Sequence, residues 1–316
     1  MRTRVRGHTL VALLVAGLLG ALLLLVVVEV FLACRSALLW QEATARLEAA
    51  GGRALTLLGS ELRMAGFQGM AQHATAPAGA PDCGTDGWPL KPTPALAFAD
   101  RAAHAGVLLS DGSAPGCLPL GDLLPGSDLL ATKRTAALPS RGSPPHRRRV
   151  RETQWYLLVD GAARGRFSYL GPGQGASALG DGMPWEWHAR IFYVRAHAVV
   201  RGDGLPTLCV ERLRGAAMRS ECLVEGVERL HLEFAVDADG DGSAETRVAR
   251  PTAEQLAAAP RATIYLLLRS VHSLPGSVAA REFVLGRERV IAAGGPRYLR
   301  RVFTLTVPLA NQGHAL

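Results

Sequence analysis

Residues Asp237-Ala238-Asp239-Gly240-Asp241-Gly242-Ser243-Ala244-Glu245 place carboxylates at the first, third and fifth positions of a loop, with Gly at the sixth. Alternate carboxylates on a tight turn converge on one point, and Gly permits the turn, which is how a Ca²⁺ loop opens. The twelfth position is Val248 rather than Glu, and the stretch before the loop reads as a strand, so this is not an EF-hand. Two readings follow. Either a structural calcium ion is held by Asp237, Asp239, Asp241 and Glu245 with backbone and water completing the shell, or the segment is an acidic hairpin tip without metal. A second candidate is the run of Lys133, Arg134, Arg141, Arg147, Arg148, Arg149 and Arg151, with no acidic residue between Leu129 and Arg151. Such a run attracts phosphate backbones. Without interleaved aromatics it offers no base stacking, and a solvated basic loop is the competing reading.

No nucleophile-base pattern is present: there is no Gly-x-Ser-x-Gly, no phosphate-binding Gly loop and no zinc helix, and the nine His are scattered. No enzyme is expected, nor any cofactor beyond that structural ion. Trp155, Trp185 and Trp187 read as core or sheet-face residues. Five cysteines remain. Cys34 lies at the outer end of a long apolar run and is expected to be unpaired. With Gly215-Ala216 as a two-residue hairpin turn, Gly first suits type II′, and residues whose numbers sum to 431 pair across the strands. Cys209 then faces Cys222, where a cross-strand disulfide fits. Cys83 with Cys117 closes a Gly/Pro-rich loop, worth about 3–4 kcal/mol by loop entropy. Both bridges require an oxidising compartment.

The elements that must carry these groups are set by composition and periodicity. The 316 residues hold 35 Lys+Arg against 27 Asp+Glu, a net charge of +8, and 48% are apolar, which excludes disorder. From Leu10 to Val28 every residue is apolar or Gly, and Val30 to Ala33 continue the run after a lone Glu29. That is long enough to span a bilayer. Arg2, Arg4 and Arg6 precede it, so the short end is cytoplasmic and the remainder extracytoplasmic. Beyond the span, Leu47, Ala50, Ala54, Leu58, Leu62 and Ala65 recur every three or four residues and write one apolar stripe. Glu42, Arg46, Glu48, Arg53, Glu61 and Arg63 fall on the polar face. A single helix from about His8 to Ala65, roughly 85 Å long, is expected. Gly66 is its stop, and Gly51-Gly52 is a place for a bend.

Past Gly66 the pattern alternates. Leu230, Leu232, Phe234 and Val236 are interleaved with Arg229, His231, Glu233 and Ala235; Phe303, Leu305, Val307 and Leu309 alternate likewise. Further strands are expected at 154–159, 190–200, 205–213, 218–224 and 262–269. Few helix-length crossovers separate them, so the sheet is mainly antiparallel. The fold class is α+β, a long helix packed on a sheet. Residues 66–130 and 133–152, rich in Gly, Pro, Ala and Arg, are expected to be insertions. The organisation is 1–7 leader, 8–33 transmembrane helix, 34–66 amphipathic continuation and 67–316 globular domain.

The segment Arg6-Gly7-His8-Thr9-Leu10-Val11-Ala12 resembles the prepilin signal, in which the cut falls after Gly and the apolar helix stays on the mature chain. The resemblance implies a mature terminus at His8, methylated by the same peptidase. That family usually has Phe at the new first position and Glu at the fifth, where this chain has His8 and Ala12. A missing Glu at that point resembles the tip subunit of type II secretion pseudopili. "LEAAGGRALTLLGSELRMAGFQG", "GLPTLCVERL", "LVEGVERLHLEFAVDADGDG" and "RYLRRVFTLTVPLAN" resemble, in order, segments of the W-type minor pilins of type IV pili (PilW-like proteins), over residues 7–72 and about 187–311.

What this implies is a pilin architecture and a non-catalytic minor pilin that initiates or caps pilus assembly. Its partners would be other minor pilins, the major pilin, the inner-membrane assembly platform and the prepilin peptidase. The alternatives are a type II secretion pseudopilin, or a membrane-tethered adhesin or DNA-binding module. Secretion pseudopilins of related fold use calcium, and type IV pili take up DNA, which links both candidate sites to the resemblance.

Overall fold

The structure is a computed structural model that describes residues 10–77, 83, 87–101, 107–140, 149–237, 241, 243–275, 280–291 and 298–311. Helix α1 (Leu10–Met64) is continuous, 55 residues and about 80 Å long. It contains no Pro, and Leu, Ala, Glu and Arg dominate its second half, so nothing in it interrupts the hydrogen-bond ladder. It runs through Gly51-Gly52 unbroken. At Gly51 an added Cβ would lie 2.5 Å from the Phe303 ring, and at Gly59 it would lie 2.6 Å from Leu305 Cδ2. The expected bend is instead a notch that lets a strand lie close against the helix, while Gly52 faces open space. The stop is as expected. Gly66 has φ +84, its N–H donates to the Lys133 carbonyl at 3.0 Å, and a Cβ there would meet the Asn311 carbonyl oxygen at 2.5 Å.

Fourteen strands follow among the described residues: β1 (His73–Thr75), β2 (Leu96–Ala99), β3 (Leu129–Thr135), β4 (Gln154–Val159), β5 (Arg164–Leu170), β6 (Met183–Arg195), β7 (Thr207–Arg214), β8 (Ala217–Glu225), β9 (Val227–Val236), β10 (Thr246–Val248), β11 (Arg261–Arg269), β12 (Glu282–Leu285), β13 (Glu288–Ile291) and β14 (Arg300–Pro308). A short helix α2 (Ala253–Ala258) is opened by a Thr252/Gln255 capping box. The strands form an eight-stranded sheet, a four-stranded sheet ordered β10-β9-β11-β14, and the hairpin β12-β13. The thirteen-residue β6 organises the larger sheet, pairing β4 through Met183–Glu186 and β3 and β7 through Trp187–Arg195. Pairing is antiparallel except for β1 with β5, as the short connections require.

Two expectations are corrected. There is not one sheet but two larger ones, and α1 lies between them. Residues 66–130 and 133–152 are not simply insertions, because they contain β1, β2 and β3.

The main core follows from the apolar stripe. Leu47, Ala54, Leu58 and Leu62 pack with Leu230, Leu232, Phe234, Ile264, Leu266 and Val307 of the four-stranded sheet. On the other side they meet the face of the larger sheet that carries Leu130, Phe192, Val194, Leu208 and Val210. Burying a Leu side chain is worth about 1.5–3 kcal/mol, so Leu58 and Leu62 alone fasten the helix firmly. The opposite face of the larger sheet, with Trp187, Ile191 and Tyr193, is covered by the loop segments holding Trp88, Leu90 and Cys83.

Candidate functional site

The helix is held to the sheets by charge as well as by its stripe. Glu61, read from the periodicity as a polar-face residue, is 2% exposed. Arg134 of β3 grips it with two hydrogen bonds, Nε to Oε2 at 3.1 Å and Nη2 to Oε1 at 2.6 Å. Arg190 of β6 donates to the same carboxylate through Nη1. Burial pulls the Arg190 pKa down, opposed by Glu61, while Arg134 and Arg212 add to the lowering. A stripe of Leu and Ala tolerates a slide along the sheet. A carboxylate chelated by two guanidinium groups does not, because moving it would leave a buried carboxylate and two half-buried guanidinium groups without each other. At the helix end, Asn311 Nδ2 donates to the Arg63 carbonyl at 2.9 Å, so the segment after β14 clips the last turn. At the surface, Arg301 of β14 pairs with Glu48.

The other half of α1 has no such attachments among the described residues. Every residue from Leu10 to Arg35 is exposed. The most apolar 18-residue window of the helix has a mean hydropathy of 3.1 and is 0% buried. The polar side chains that follow are satisfied locally, with the Ser36 hydroxyl donating to the Ala33 carbonyl at 2.8 Å and the Thr44 hydroxyl to the Trp40 carbonyl at 2.8 Å. An apolar surface of this extent needs lipid or other helices around it.

A second buried polar cluster lies where the three sheets meet. The alternation in β9 points His231 and Glu233 away from the main core, yet both are buried, 2% and 1% exposed. The hairpin β12-β13 covers them. His231 Nδ1 stands 3.1 Å from Asp128 Oδ2 and 3.4 Å from Glu288 Oε2, and its Nε2 is 3.8 Å from Glu233 Oε1. Burial pulls the imidazole pKa down, but the Asp128 hydrogen bond and the charges of Asp128, Glu288 and Glu233 outweigh it and hold the pKa above its ordinary value. Glu233 is itself fixed by the Arg287 N–H at 2.7 Å and the Tyr265 hydroxyl at 3.2 Å. Sequence reasoning missed this cluster, and the signal available was slight: two ionisable residues on the second face of an otherwise apolar strand.

Comparison with known proteins bears on the same half of the chain. Residues 191–311 match the family described as Type IV Pilus-assembly protein W. Residues 191–311 are PilW-like. The match takes in the end of β6, all of β7 to β14 and Asn311, hence the strands that receive the helix and the residue that clips it. Among solved structures, a type IV-like pilin from Thermus thermophilus is 12% identical, with 85% of this chain and 97% of that chain covered at a TM-score of 0.38, a likeness too slight to argue from. No curated protein sequence matches significantly. Over residues 191–311 the chain is thus similar to a type IV pilus-assembly family, and its N-terminal apolar helix is consistent with a single-pass anchor.

The PilW-like region contains the disulfide read from the hairpin register. Cys209 faces Cys222 and is bonded to it, with Arg214↔Ala217 closing the hairpin; Gly215 has φ +63 and Ala216 no positive φ, as type II′ requires. Cys83 is bonded to Cys117, and Cys34 is free and exposed. Trp187 is buried, its Nε1–H donating to the Pro89 carbonyl at 2.7 Å. Trp155 donates to the Gly215 carbonyl at 2.9 Å and Trp185 packs edge-on to Phe67, so all three are sheet residues.

The basic run does not hold together as one loop. Arg134 is committed to Glu61, and Lys133 is 1% exposed with Nζ 4.7 Å from the Trp88 ring centre. Burial lowers the Lys133 pKa to about 8, with Asp111 opposing and Lys91 assisting. Both side chains belong to β3, so neither can meet a phosphate backbone. Arg149 and Arg151 are exposed, and Arg141, Arg147 and Arg148 lie outside the described residues.

At the acidic loop, β9 and β10 do form a hairpin, with Val236↔Thr246. Asp241 Oδ1 accepts the Ser243 N–H at 2.7 Å and Glu245 accepts the Ser243 hydroxyl at 3.4 Å. Asp237 is described there too, whereas Asp239 lies outside the described residues, as do Gly7 and His8.

Proposed function

We propose that this chain is a minor pilin that acts by assembly rather than catalysis. It is inserted in the inner membrane with its short N-terminus in the cytoplasm, cut after Gly7 and methylated at His8. It then joins a priming or tip complex of a type IV pilus through the apolar half of α1. The observation that supports this best is the division of one helix: its second half is locked into a PilW-like domain, while its first half is apolar, exposed and without a partner among the described residues. Leaving lipid costs such a segment nothing extra where other apolar helices surround it, so packing among helices can carry assembly. The domain then selects partners, namely other minor pilins, the major pilin and the assembly platform. Ala12 in place of the usual Glu suits a subunit at the tip, with no subunit above whose terminal amine needs a countercharge.

The test is piliation in a strain lacking the protein, complemented by the full chain or by a Leu18→Arg chain. A charge at the middle of the span costs about 2.5–3.5 kcal/mol of insertion. Full-length protein restores filaments, and the variant does not although its domain folds. Normal piliation without the protein would sink the reading. Loss of secreted proteins with pili intact would move it to a secretion pseudopilus.

A further inference from the structure

The cluster around His231 gathers its donors from all three sheets. Asp100 and Asp128 immediately follow and precede the paired residues Ala99↔Leu129, so they stand opposite one another at the end of the β2-β3 pair. Like charges directly opposite destabilise a strand pair unless a cation intervenes. His231 comes from β9 and Glu288 from β13. One ligand atom each from Asp100, Asp128 and His231 lie within 4.8 Å of one another, and Glu288 Oε2 approaches the same imidazole nitrogen as Asp128 does.

The outward-facing partners are accounted for. Arg250 pairs with Asp100, Arg101 Nη2 is 3.6 Å from Glu288 Oε1, and the N–H groups of Arg101 and Leu232 donate to Asp128 at 3.0 and 2.8 Å. The inward side is not satisfied. Glu288 Oε2 is enclosed and has no hydrogen-bond partner among the described residues, and the His231 side chain is only 3% exposed. A proton on Nδ1 serves one carboxylate and strands the other. Separations of 3.1 and 3.4 Å from Nδ1 are those of two ligand atoms sharing one ion at bonds of about 2.1 Å and tetrahedral or octahedral angles. Mixed imidazole and carboxylate donors suit a borderline divalent ion. Glu233 Oε1 lies 3.8 Å from Nε2, on the side of the ring away from the ion.

We propose that Asp100, Asp128, His231 and Glu288 bind one divalent transition-metal ion of the Zn²⁺ type, which staples the eight-stranded sheet, the four-stranded sheet and the β12-β13 hairpin together. This site is separate from the acidic loop at Asp237–Glu245.

The experiment uses full-length protein in detergent, stripped with chelator and titrated with Zn²⁺ alone, followed by calorimetry and thermal unfolding. The expected result is one Zn²⁺ per chain with a rise in Tm. Binding should weaken at least tenfold in Asp100→Asn and vanish in His231→Gln. Asp241→Asn, in the acidic loop, should leave it unchanged. Should His231→Gln fail to fold, Asp100→Asn and Glu288→Gln decide. Folded wild-type protein that takes up no stoichiometric Zn²⁺ would overturn the proposal, as would uptake unaltered in both carboxylate variants. A His231 Nδ1–H resonance that persists under saturating Zn²⁺ would do the same, because a proton would then hold the place of the ion.

Discussion

The two halves of α1 share one unbroken backbone, yet they differ in composition and answer to different surroundings. From Leu47 to Ala65 the apolar residues form a stripe, the stripe is buried, and a single carboxylate, Glu61, fixes its position through Arg134 and Arg190. From Leu10 to Ala33 the apolar residues go all the way round and everything is exposed. A stripe is what a helix needs to meet one sheet-lined groove; a full sleeve suits only an apolar medium or a bundle of like helices. The lesson is that the division between fold and function falls inside one secondary-structure element. The docked half is finished by its own chain, and the free half can be finished only from outside.

That contrast is most directly broken at Glu61. Replacing it with Ala leaves the half-buried guanidinium groups of Arg134 and Arg190 without their shared carboxylate, at a cost of about 2–4 kcal/mol, so chemical denaturation should show a large loss of domain stability. A change of comparable size on the free half, such as Leu18→Ala, should leave domain stability untouched.

A neighbouring charge sharpens the comparison between partnered and unpartnered burial. On β3, Lys133 lies beside Arg134 but its ammonium rests on the Trp88 ring with no hydrogen-bond partner among the described residues. Its pKa is lowered from 10.5 to about 8 by burial. The folded state therefore releases that proton while the unfolded chain still holds it. The penalty is full below about pH 8 and is relieved as pH rises from there toward 10.5. Lys133→Met should raise stability by about 1–3 kcal/mol at pH 7 and gain less at pH 10, measured by thermal unfolding at the two pH values. No gain at pH 7 would mean the ammonium is paired.

The smallest test uses adjacent glycines. Gly51 has Phe303 where its Cβ would go, and Gly52 has nothing within 4 Å. Gly51→Ala should destabilise by about 1–3 kcal/mol through overpacking, whereas Gly52→Ala should stabilise by about 0.5–1 kcal/mol through helix propensity. Equal effects at the two positions would contradict the close approach of β14.

What could be read from the chain divides along the same physical line. The long apolar helix, the stripe, the stop at Gly66, strand β4 at its observed limits and the Cys209–Cys222 register all rest on local periodicity or turn chemistry, which acts over a few residues. Glu61 carries the same local signal as Glu48, and only the strands bearing Arg134 and Arg190 distinguish a buried carboxylate from a surface one. Lys133 and Arg134 sit in a charge run that reads as a loop, because the alternation of Leu129–Thr135 is broken by small and polar residues. His231 and Glu233 read as the wet side of a strand, since the hairpin that covers them begins about fifty residues later. The helix was legible, and the polar sites were not, because each depends on partners far away in sequence.

The central claim is that this protein enters a filament through the free half of its helix. Intact-mass and N-terminal analysis of the chain recovered from membranes and from sheared filaments tests it most directly. The account predicts a mature chain beginning at methylated His8 and present in the filaments, with Ala12 tolerated. An uncut chain beginning at Met1 and confined to the membrane would contradict it and leave a tethered domain that does not assemble.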